Sequence, residues 1–342
     1  MDSRAETPLR VVAFNVEILK APGVRQGELS KYRFDHARRR HLERVAEVIE
    51  ALDPDILNLE EVISRESIDG LVDILHAKGL TDYRGYHVEN NDSFTGMDVA
   101  LISKITPDEV DGALIQTINS EDDDPTWRQA FSFTGYDGRQ QNKTTSLSRN
   151  ALYYVTVSGH KLGFLGLHLK SNPSDQYANA KRSAQADVVQ RVVRAKVTRL
   201  GYLPIVLGDL NDYDPDVADR DEERSTKTRV LRAIKDFDPK SEGNELVNAA
   251  RWIPRQQDRY TSHWDWNENG ARDPEDVFTM IDHVLLPKQL EPCIERVFIF
   301  RGVGLETTDH FPVVVDLLLP DKQPNGAATT AVTAESAETA AH

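Results

Sequence analysis

The sequence is poor in cysteine, with Cys293 as the only one in 342 residues. A single thiol excludes an intrachain disulfide and a thiolate cluster for zinc, so any bound metal is expected to have oxygen and imidazole ligands. The sequence also lacks a run of about 18 apolar residues, which a membrane-spanning helix requires. Its first residues do not form the basic, apolar and small-residue pattern of a secretory signal peptide. These absences predict a cytoplasmic protein without membrane contact.

Positive charge is also in short supply. Lys and Arg together number 41 against 56 Asp and Glu, which gives a formal net charge of −15. An acidic body repels nucleic-acid phosphates at long range, so a protein that coats nucleic acid through a basic surface is excluded. A local basic groove is not excluded. The basic run at residues 38–41 is interpreted as a solvated helix face rather than a nucleic-acid patch.

Apolar residues recur in patterns that alternate between strands and helices. Residues 9–16 form a β-branched run that predicts a buried strand, and residues 42–52 have the apolar spacing of an amphipathic helix. A long amphipathic helix is predicted over residues 174–200, whereas residues 106–149 show no period and predict long loops with an irregular hairpin. Because both halves mix strands with helices, we expect an α/β protein with two sheets face to face and helices outside.

The length of the chain fits one large α/β domain or about two domains of roughly 150 residues. From residue 321 the composition shifts to Ala, Thr and Glu, with few apolar residues large enough to build a core. Such a composition is typical of a disordered segment. We therefore expect a folded domain over residues 8–320 and a disordered tail over residues 321–342.

Several predicted strands end on polar side chains. Each one alone reads as a cap, a turn residue or a hydrogen-bonded core group. Together they supply carboxylates for a hard cation, amide and imidazole donors for an oxyanion, and a carboxylate that orients a histidine, which is what phosphoester hydrolysis requires. The positions are Asn15, Glu61, His168, Asp209 with Asn211, Asp282 with His283, and Asp309 with His310.

The order of these motifs resembles the endonuclease/exonuclease/phosphatase superfamily, to which DNase I and exonuclease III belong. The matching segments are VAFNV at 12–16, PDILNLEEV at 54–62, DVALIS at 98–103, GLHLKS at 166–171, GDLND at 208–212, MIDHV at 280–284 and TDHFPV at 308–313. The FNVE opening and the HLKS strand end are similar to those of bacterial hydrolases of the superfamily. The chain departs from the usual pattern at Ile18, Glu60 and Thr308. The resemblance implies a four-layer αββα sandwich of two mixed β-sheets with helices outside, as in DNase I.

The resemblance also implies a metal site. Glu61 is similar to the main metal ligand of the family, and Asn15 and Asp309 complete the metal environment directly or through water. Carboxylate and amide oxygens suit Mg²⁺ or Mn²⁺. The expected cofactor is therefore one of these two ions.

The resemblance assigns the catalytic roles to five further residues. His310 is similar to the base or phosphate-polarising histidine, oriented by Asp282. Asp209 is similar to the residue that positions the attacking water, and the sequence leaves open whether Asp209 or His310 takes the proton. Asn211 and His168 are similar to the donors that contact non-bridging phosphate oxygens.

Two positions near the predicted long helix are candidate substrate contacts. Arg182, one helical turn from Gln185, is placed to reach a phosphate, with a solvated helix face as the alternative. Lys170, which follows His168 in the HLKS segment, is the second candidate phosphate contact.

A separate segment has the spacing of a calcium-binding loop. Asp265, Asn267, Asn269 and Asp276 occupy ligand positions of such a loop, with Asp in place of the usual final Glu. The alternative is a polar hairpin tip without an ion. Calcium is therefore a second expected ion, at a site apart from the catalytic one.

These patterns predict a divalent-metal-dependent phosphoester hydrolase, in first place a phosphodiesterase. The alternatives are a nuclease acting on DNA or RNA, a phosphomonoesterase, and a non-catalytic phosphate-binding module of the same fold. The net charge of −15 favours small or short substrates. A basic groove formed by residues 38–40, Lys170 and Arg182 would favour long nucleic acid instead. No protein partner is indicated.

Overall fold

The computed structural model describes residues 5–25, 30–118, 125–221 and 228–322. From residue 323 onward, the predicted disordered tail lies outside these described residues. The described part contains four α-helices: α1 (Asp35–Leu52), α2 (Arg65–Ala77), α3 (Gln176–Val192) and α4 (Val230–Lys235). Its strands are β1 (Glu6–Leu19), β2 (Ile56–Val62), β3 (Arg84–His87), β4 (Asp98–Ser103), β5 (Ile115–Gln116), β6 (Gln129–Thr134), β7 (Gln140–Thr145), β8 (Asn150–Val157), β9 (His160–His168), β10 (Leu203–Asp209), β11 (Leu246–Asn248), β12 (Ser262–Trp264), β13 (Val277–Thr279), β14 (Asp282–Pro287), β15 (Ile294–Ile299) and β16 (Val313–Pro320).

Two six-stranded mixed sheets form the centre of the fold. The first has the order β15-β16-β1-β2-β4-β3 and the second the order β11-β14-β10-β9-β8-β5. In each sheet one central pair is parallel, β1 with β2 and β9 with β10, and the neighbours of each pair run antiparallel to it. The carboxyl ends of the parallel pairs and the amino ends of their neighbours therefore lie at the same end of each sheet.

Apolar side chains fill the space between the sheets and the space beneath the helices. Side chains of β9 alternate, with Leu162 and Phe164 in the core shared with the first sheet and Leu165 and Leu167 in a second core under α3. Helices α1 and α2 cover the outer face of the first sheet, while α3 and α4 cover the second. This arrangement confirms the predicted αββα sandwich. Within the described residues, no helix has the length and apolarity that a membrane crossing requires.

Two sequence predictions about local structure need correction. The predicted helix over residues 174–200 is α-helical only to Val192, after which a π-helical turn (Val193–Val197) tightens into a short 3-10 turn. Residues 106–149 contain a regular hairpin, β6 with β7, in which all six residues of each strand are paired. Its polar second strand, QQNKTT, is exposed on both faces except at its last residue, so no apolar alternation marks it in the sequence.

The basic run at residues 38–41 is not a uniformly solvated face. Arg38 is buried and donates hydrogen bonds to backbone carbonyls, including that of Tyr32 at 2.7 Å. His41 is fully buried and stacks on the Tyr32 ring. Only Arg39 and Arg40 are exposed, and both pair with Glu43 of the same helix. The run therefore anchors α1 and does not form a basic groove.

Candidate active site

The structure gathers the predicted site residues at one end of the sandwich, where the two sheets face each other. The first sheet contributes residues near the ends of β1 and β2 and directly before β16. The second sheet contributes residues at the ends of β9 and β10, in the loop after β10, and at the start of β14. In chain order these residues are Asn15, Glu61, His168, Asp209, Asn211, Asp282, Asp309 and His310.

A β-bulge aims Glu61 into this end. Glu60 pairs with Val99 and Val62 pairs with Asp98, so Glu61 is the extra residue between two ladder steps. Its φ of 64° lies in the left-handed region, which a residue with a Cβ adopts rarely. The bulge frees the Glu61 carboxylate from the pleat of β2 and turns it toward Asn15. Bulges next to active sites commonly re-aim a side chain in this way.

Asn15 links the two sheets through its amide nitrogen. It donates to Glu61 Oε1 at 3.2 Å and to Asp209 Oδ2 at 3.1 Å. Asp209 also accepts the backbone N–H of Asn211 on its other oxygen, at 3.0 Å. The Asn211 side chain donates to the backbone carbonyl of Leu169 at 3.3 Å, which ties the loop after β10 to the end of β9.

His310 is held by a carboxylate of the opposite sheet. Its Nδ1 lies 2.8 Å and 3.0 Å from the two oxygens of Asp282, and this pair is buried. The backbone N–H of His310 donates to the Thr308 hydroxyl, which in turn donates to the backbone carbonyl of Asn15, each at 3.0 Å. Thr308 thereby fixes the segment before β16 to β1, and its hydroxyl provides these contacts in place of the more usual Ser.

Arg149 is a site residue that the sequence analysis missed. It directly precedes β8, and its Nη1 lies 3.2 Å from His168 Nε2, while its Nε donates to Asp92 at 2.6 Å. His168 Nε2 also lies 3.5 Å from Asp209 Oδ2. The sequence did contain a signal for Arg149, namely the predicted hairpin of β8 and β9. Antiparallel pairing of these strands places the residue before β8 beside the residue that ends β9.

Burial and like charges shift the pKa values of the acidic groups here. Burial and the neighbouring Asp282 carboxylate raise the pKa of Asp209 to about 7. Burial raises the pKa of Glu61, although His310 and Asn15 oppose the shift. Burial also raises the pKa of Glu60 well above its usual range, with further contributions from Asp282 and Asp209. Glu60 lies fully buried behind the site, and its Oε2 has no hydrogen-bond partner among the described residues.

The two histidines of the site have opposite shifts. Burial, followed by the Arg149 guanidinium, lowers the pKa of His168 well below its usual value. Burial alone would also lower the pKa of His310, but the Asp282 and Asp309 carboxylates outweigh it and raise that pKa well above the usual value. The two imidazoles therefore lie in opposite electrostatic environments, although both are close to the Asp209 carboxylate.

The oxygen ligands suit a hard divalent cation. Glu61 is hydrogen-bonded through Oε1, while its Oε2 accepts no hydrogen bond from the described residues. Burial and the Asp309 carboxylate raise the pKa of Glu17, the last residue of the FNVE segment, although Lys31 pairs with it. Carboxylates that repel each other in this way gain from a cation between them. Asp209, Asp282 and His310 form a second group whose potential ligand atoms lie within 4.8 Å of one another.

The structure gives Arg182 a different position from the one expected. Its side chain is fully buried, and its guanidinium pairs with Asp212 at 2.9 Å and donates to the backbone carbonyl of Lys170 at 2.6 Å. Gln185 is also buried and accepts the backbone N–H of Lys170 at 3.1 Å. Arg182 and Gln185 are therefore neither placed to contact a phosphate nor part of a solvated helix face. They fix the strand end at 168–171 to the loop at 209–212.

The segment predicted to bind calcium is closed by its own hydrogen bonds. Asp276 is buried and accepts from His263 Nε2 at 2.7 Å and from the backbone N–H groups of Trp266 and Asp273. The Asn267 and Asn269 side chains both donate to Asp273, at 2.7 Å each, and Asp265 accepts the backbone N–H of Gly270. The carboxylates do not converge on a common point, so the plain polar hairpin tip is the better description.

Comparison with known proteins points to one family. The family model described as the Endonuclease/Exonuclease/phosphatase family matches residues 18–310. A search of curated proteins finds no significant match to this chain.

Solved structures with a similar fold include an AP endonuclease, a 3'-5' exonuclease and TDP2. An AP endonuclease from Archaeoglobus fulgidus is 16% identical, with a TM-score of 0.55 over 90% of this chain and 98% of that one. The 3'-5' exonuclease NExo from Neisseria meningitidis is 16% identical, with a TM-score of 0.55 over 90% and 99%. TDP2 from C. elegans is 14% identical, with a TM-score of 0.52 over 93% and 77%. At these identities the similarity shows the fold.

Proposed function

Because the chain belongs to the endonuclease/exonuclease/phosphatase family, we propose that it is a phosphodiesterase that depends on Mg²⁺ or Mn²⁺, with residues 8–320 as one catalytic domain. The observation that carries this proposal is the convergence of ligand and acid–base groups from both sheets. Asn15 bridges Glu61 and Asp209, the Asp282–His310 pair lies beside Asp209, and Asp309 Oδ1 lies 3.8 Å from His310 Nε2.

Glu61, Asn15 and Asp309 are the residues that would hold the metal. The carboxylate oxygens of Glu61 and Asp309 and their mutual repulsion fit a hard divalent cation, and Asn15, whose amide nitrogen faces Glu61 and Asp209, would complete the metal environment directly or through water. When bound, the ion would neutralise charge on a phosphoryl oxygen and orient the phosphoester. The protein's own contribution is to hold these ligands on rigid strand ends, with Asn15 bridging toward Asp209.

The acid–base group supplies the attacking water and receives its proton. Asp209 positions the water, and the oxygen of the water forms a new bond to phosphorus while the bond to the leaving oxygen breaks. The proton passes to the group formed by Asp209, His310 and Asp282, in which one ligand atom of each residue lies within 4.8 Å of those of the other two. Asp282 fixes the ring of His310 and stabilises its cationic form.

Donors on the second sheet face the charge that develops on the phosphate. His168 ends β9 beside Arg149, and Asn211 follows β10 with its amide at the same strand ends. Hydrogen bonds from fixed donors to non-bridging oxygens stabilise the transition state without reorganisation at the moment of reaction. We assign this role to His168, Asn211 and Arg149.

The proposal is tested with a substrate panel assayed with Mg²⁺ and with Mn²⁺. The panel comprises plasmid, single-stranded DNA, RNA, cyclic dinucleotides, bis(p-nitrophenyl) phosphate and p-nitrophenyl phosphate. We expect turnover of diesters, loss of turnover in EDTA and recovery on metal addition. Turnover confined to the monoester would identify a phosphomonoesterase. No turnover of any phosphoester would overturn the proposal in favour of a non-catalytic phosphate-binding module.

A further inference from the structure

A cluster of cations borders the site on the side of the second sheet. Arg149 precedes β8, Lys170 follows β9, and Lys181 lies on the first half of α3, and all three side chains are half-buried. Burial and the Arg149 guanidinium lower the pKa of Lys170, while burial and the Lys170 ammonium lower the pKa of Lys181. The three groups are therefore close enough to repel one another.

Lys170 and Lys181 lack neutralising partners. Among the described residues, neither ammonium has a carboxylate within 4.0 Å, and Lys170 Nζ donates only to the Ser171 hydroxyl, at 3.2 Å. The nearby acids are already in use, since Asp92 pairs with Arg149 and Asp175 caps α3 at the backbone N–H of Ala178. Half-buried cations without counter-ions carry an uncompensated desolvation cost. An anionic ligand would remove that cost.

Aromatic rings lie on α3 and the β6–β7 hairpin next to these cations. The β6–β7 hairpin packs on α3, where the Phe133 and Tyr177 rings meet edge to face with centroids 4.9 Å apart. Lys143 of β7 lies over both rings, 5.5 Å from the Phe133 centroid and 5.0 Å from that of Tyr177. Tyr177 and Lys181 are four residues apart on α3 and so share one face of the helix.

We propose that Lys170 and Lys181 bind a second phosphate of the substrate, next to the one being cleaved, and that the strand continues over Lys143 and the rings of Phe133 and Tyr177. This inference rests on the proposed phosphodiesterase function and names its substrate class as a single-stranded nucleic acid. Cations interleaved with aromatic rings are typical of surfaces that bind single strands, because unpaired bases stack on the rings. The acidic remainder of the protein disfavours the wider contact with a duplex.

The test compares one substrate with a single phosphate and one with many. We expect Lys181→Gln to lower the ratio of kcat/KM for a ten-nucleotide single strand to kcat/KM for bis(p-nitrophenyl) phosphate by about 10-fold at low salt. The slope of log(kcat/KM) against log salt on the oligonucleotide should become shallower by about 0.7, the value for one lost contact to a single strand. Lys143→Gln should act in the same direction, and Lys181→Arg should restore most of the ratio.

The matched control is Lys161→Gln, which removes an exposed lysine at the start of β9, at the far end of that strand from His168. The control should leave the ratio within about twofold of the wild-type ratio. Thermal unfolding of each variant shows whether the fold is intact. A ratio and salt slope unchanged in Lys181→Gln would overturn the subsite. If Lys181→Gln lowers kcat/KM for a dinucleoside pyrophosphate as much as for the oligonucleotide, the site for a second phosphate is supported but the single-stranded substrate is rejected.

A binding measurement separates this inference from the proposed function. The oligonucleotide carries a fluorescent label, and its anisotropy reports binding to a His310→Ala protein with and without Lys181→Gln. Tighter binding to the protein that retains Lys181 supports the subsite even if the panel shows no turnover. Equal binding by both proteins contradicts it, whatever the panel shows.

Discussion

The two ends of the sandwich handle charge in opposite ways. At the end away from the site, Asp316 of β16 accepts from Arg10 Nε at 2.6 Å and from Arg296 Nη2 at 2.8 Å. Lys104 pairs with Asp53 at 2.7 Å, and these groups line a cavity of about 690 Å³. Opposite charges there neutralise one another. At the site end, neither Glu61 nor Asp209 forms an ion pair with a Lys or Arg side chain among the described residues.

The pKa shifts show how this difference affects the free energy of unfolding. Burial alone would raise the pKa of Asp316, but hydrogen bonds from Arg10 and Arg296 outweigh it and lower that pKa. Burial and Asp282 instead raise the pKa of Asp209 to about 7. The ionised acid thus stabilises the fold at one end and destabilises it at the other. The cavity lies at the end where opposite charges are paired, whereas the uncompensated charge lies at the other end of the sandwich. A cavity alone therefore does not mark the site.

The largest effect is expected from His310. We expect His310→Ala and Asp209→Asn each to lower kcat at least about 10²-fold, the usual scale for positioned acid–base groups. Asp282→Asn should cost less, because it acts through the orientation of His310. Steady-state kinetics of the single variants and of Asp282→Asn/His310→Ala measure the coupling.

The control for this prediction is a histidine at the opposite end of the sandwich. His160 is buried at the start of β9, and its Nε2 contacts the backbone carbonyl of Pro320 at 2.8 Å. His160→Ala should lower the Tm without a comparable loss in kcat. If the double variant Asp282→Asn/His310→Ala shows the sum of the two single losses, Asp282 does not act through His310 and the pairing is wrong.

A smaller effect is expected on metal affinity. Glu61→Gln keeps the shape of the side chain and removes the charge that Asn15 and the bulge direct into the site. We expect the Mg²⁺ or Mn²⁺ concentration for half-maximal activity to rise at least about 10-fold. Binding of Mn²⁺ measured by electron paramagnetic resonance gives a readout independent of activity. Glu47→Gln, an exposed change on α1, is the matched control, and equal metal titrations of both variants would contradict the role of Glu61.

Stability should change in opposite directions at the two ends. In EDTA at pH 7.5 we expect Asp209→Asn to raise the Tm and Asp316→Asn to lower it, each by about 2 °C or more. The first change removes an ionised carboxylate that is buried beside Asp282, and the second leaves Arg10 and Arg296 without their shared acid. Thermal unfolding with both variants in one buffer series measures the shifts. A lower Tm for Asp209→Asn would contradict the comparison.

The pH dependence of these shifts follows from their signs. The folded pKa of Asp209 is raised, so its contribution to stability is present at low pH and is lost as the pH rises from about 4 toward 7. The folded pKa of Asp316 is lowered, so its contribution is present above the unfolded value and is lost as the pH falls through the folded one. The gain in Asp209→Asn should therefore shrink toward pH 4, whereas the loss in Asp316→Asn should shrink only at more acidic pH.

The fold was predictable because its local signals are strong. The apolar period of residues 42–52 and the β-branched run at 9–16 correspond to parts of α1 and β1. The hairpin of β6 and β7 was less visible, since its second strand is exposed almost throughout and so has no core face. The π-helical turn after Val192 is not visible in the sequence, because the apolar stripe of α3 continues through Val193 and Val197.

The site was predictable only as a set of residue types at strand ends. Glu61 depends on a bulge that no local pattern reveals, whereas the position of Arg149 follows from the register of the β8–β9 hairpin. Arg182 shows the converse error. A cationic side chain near a catalytic histidine suggests a phosphate contact, but its burial against Asp212 is decided by the tertiary fold.

The smallest effect is expected from calcium at residues 265–276. This loop borders the site, and its Asp276 carboxylate is already hydrogen-bonded, since the backbone N–H of Asp273 and the His263 side chain lower the pKa of Asp276. A site filled at 100 times its Kd would add about 2.7 kcal/mol to stability. The test uses Glu61→Gln, in which metal binding at the catalytic site is weakened. We expect that Ca²⁺ does not raise the Tm of this variant. A Ca²⁺-specific rise in Glu61→Gln that disappears on adding Asp265→Ala and Asn267→Ala would show that the loop binds the ion after all.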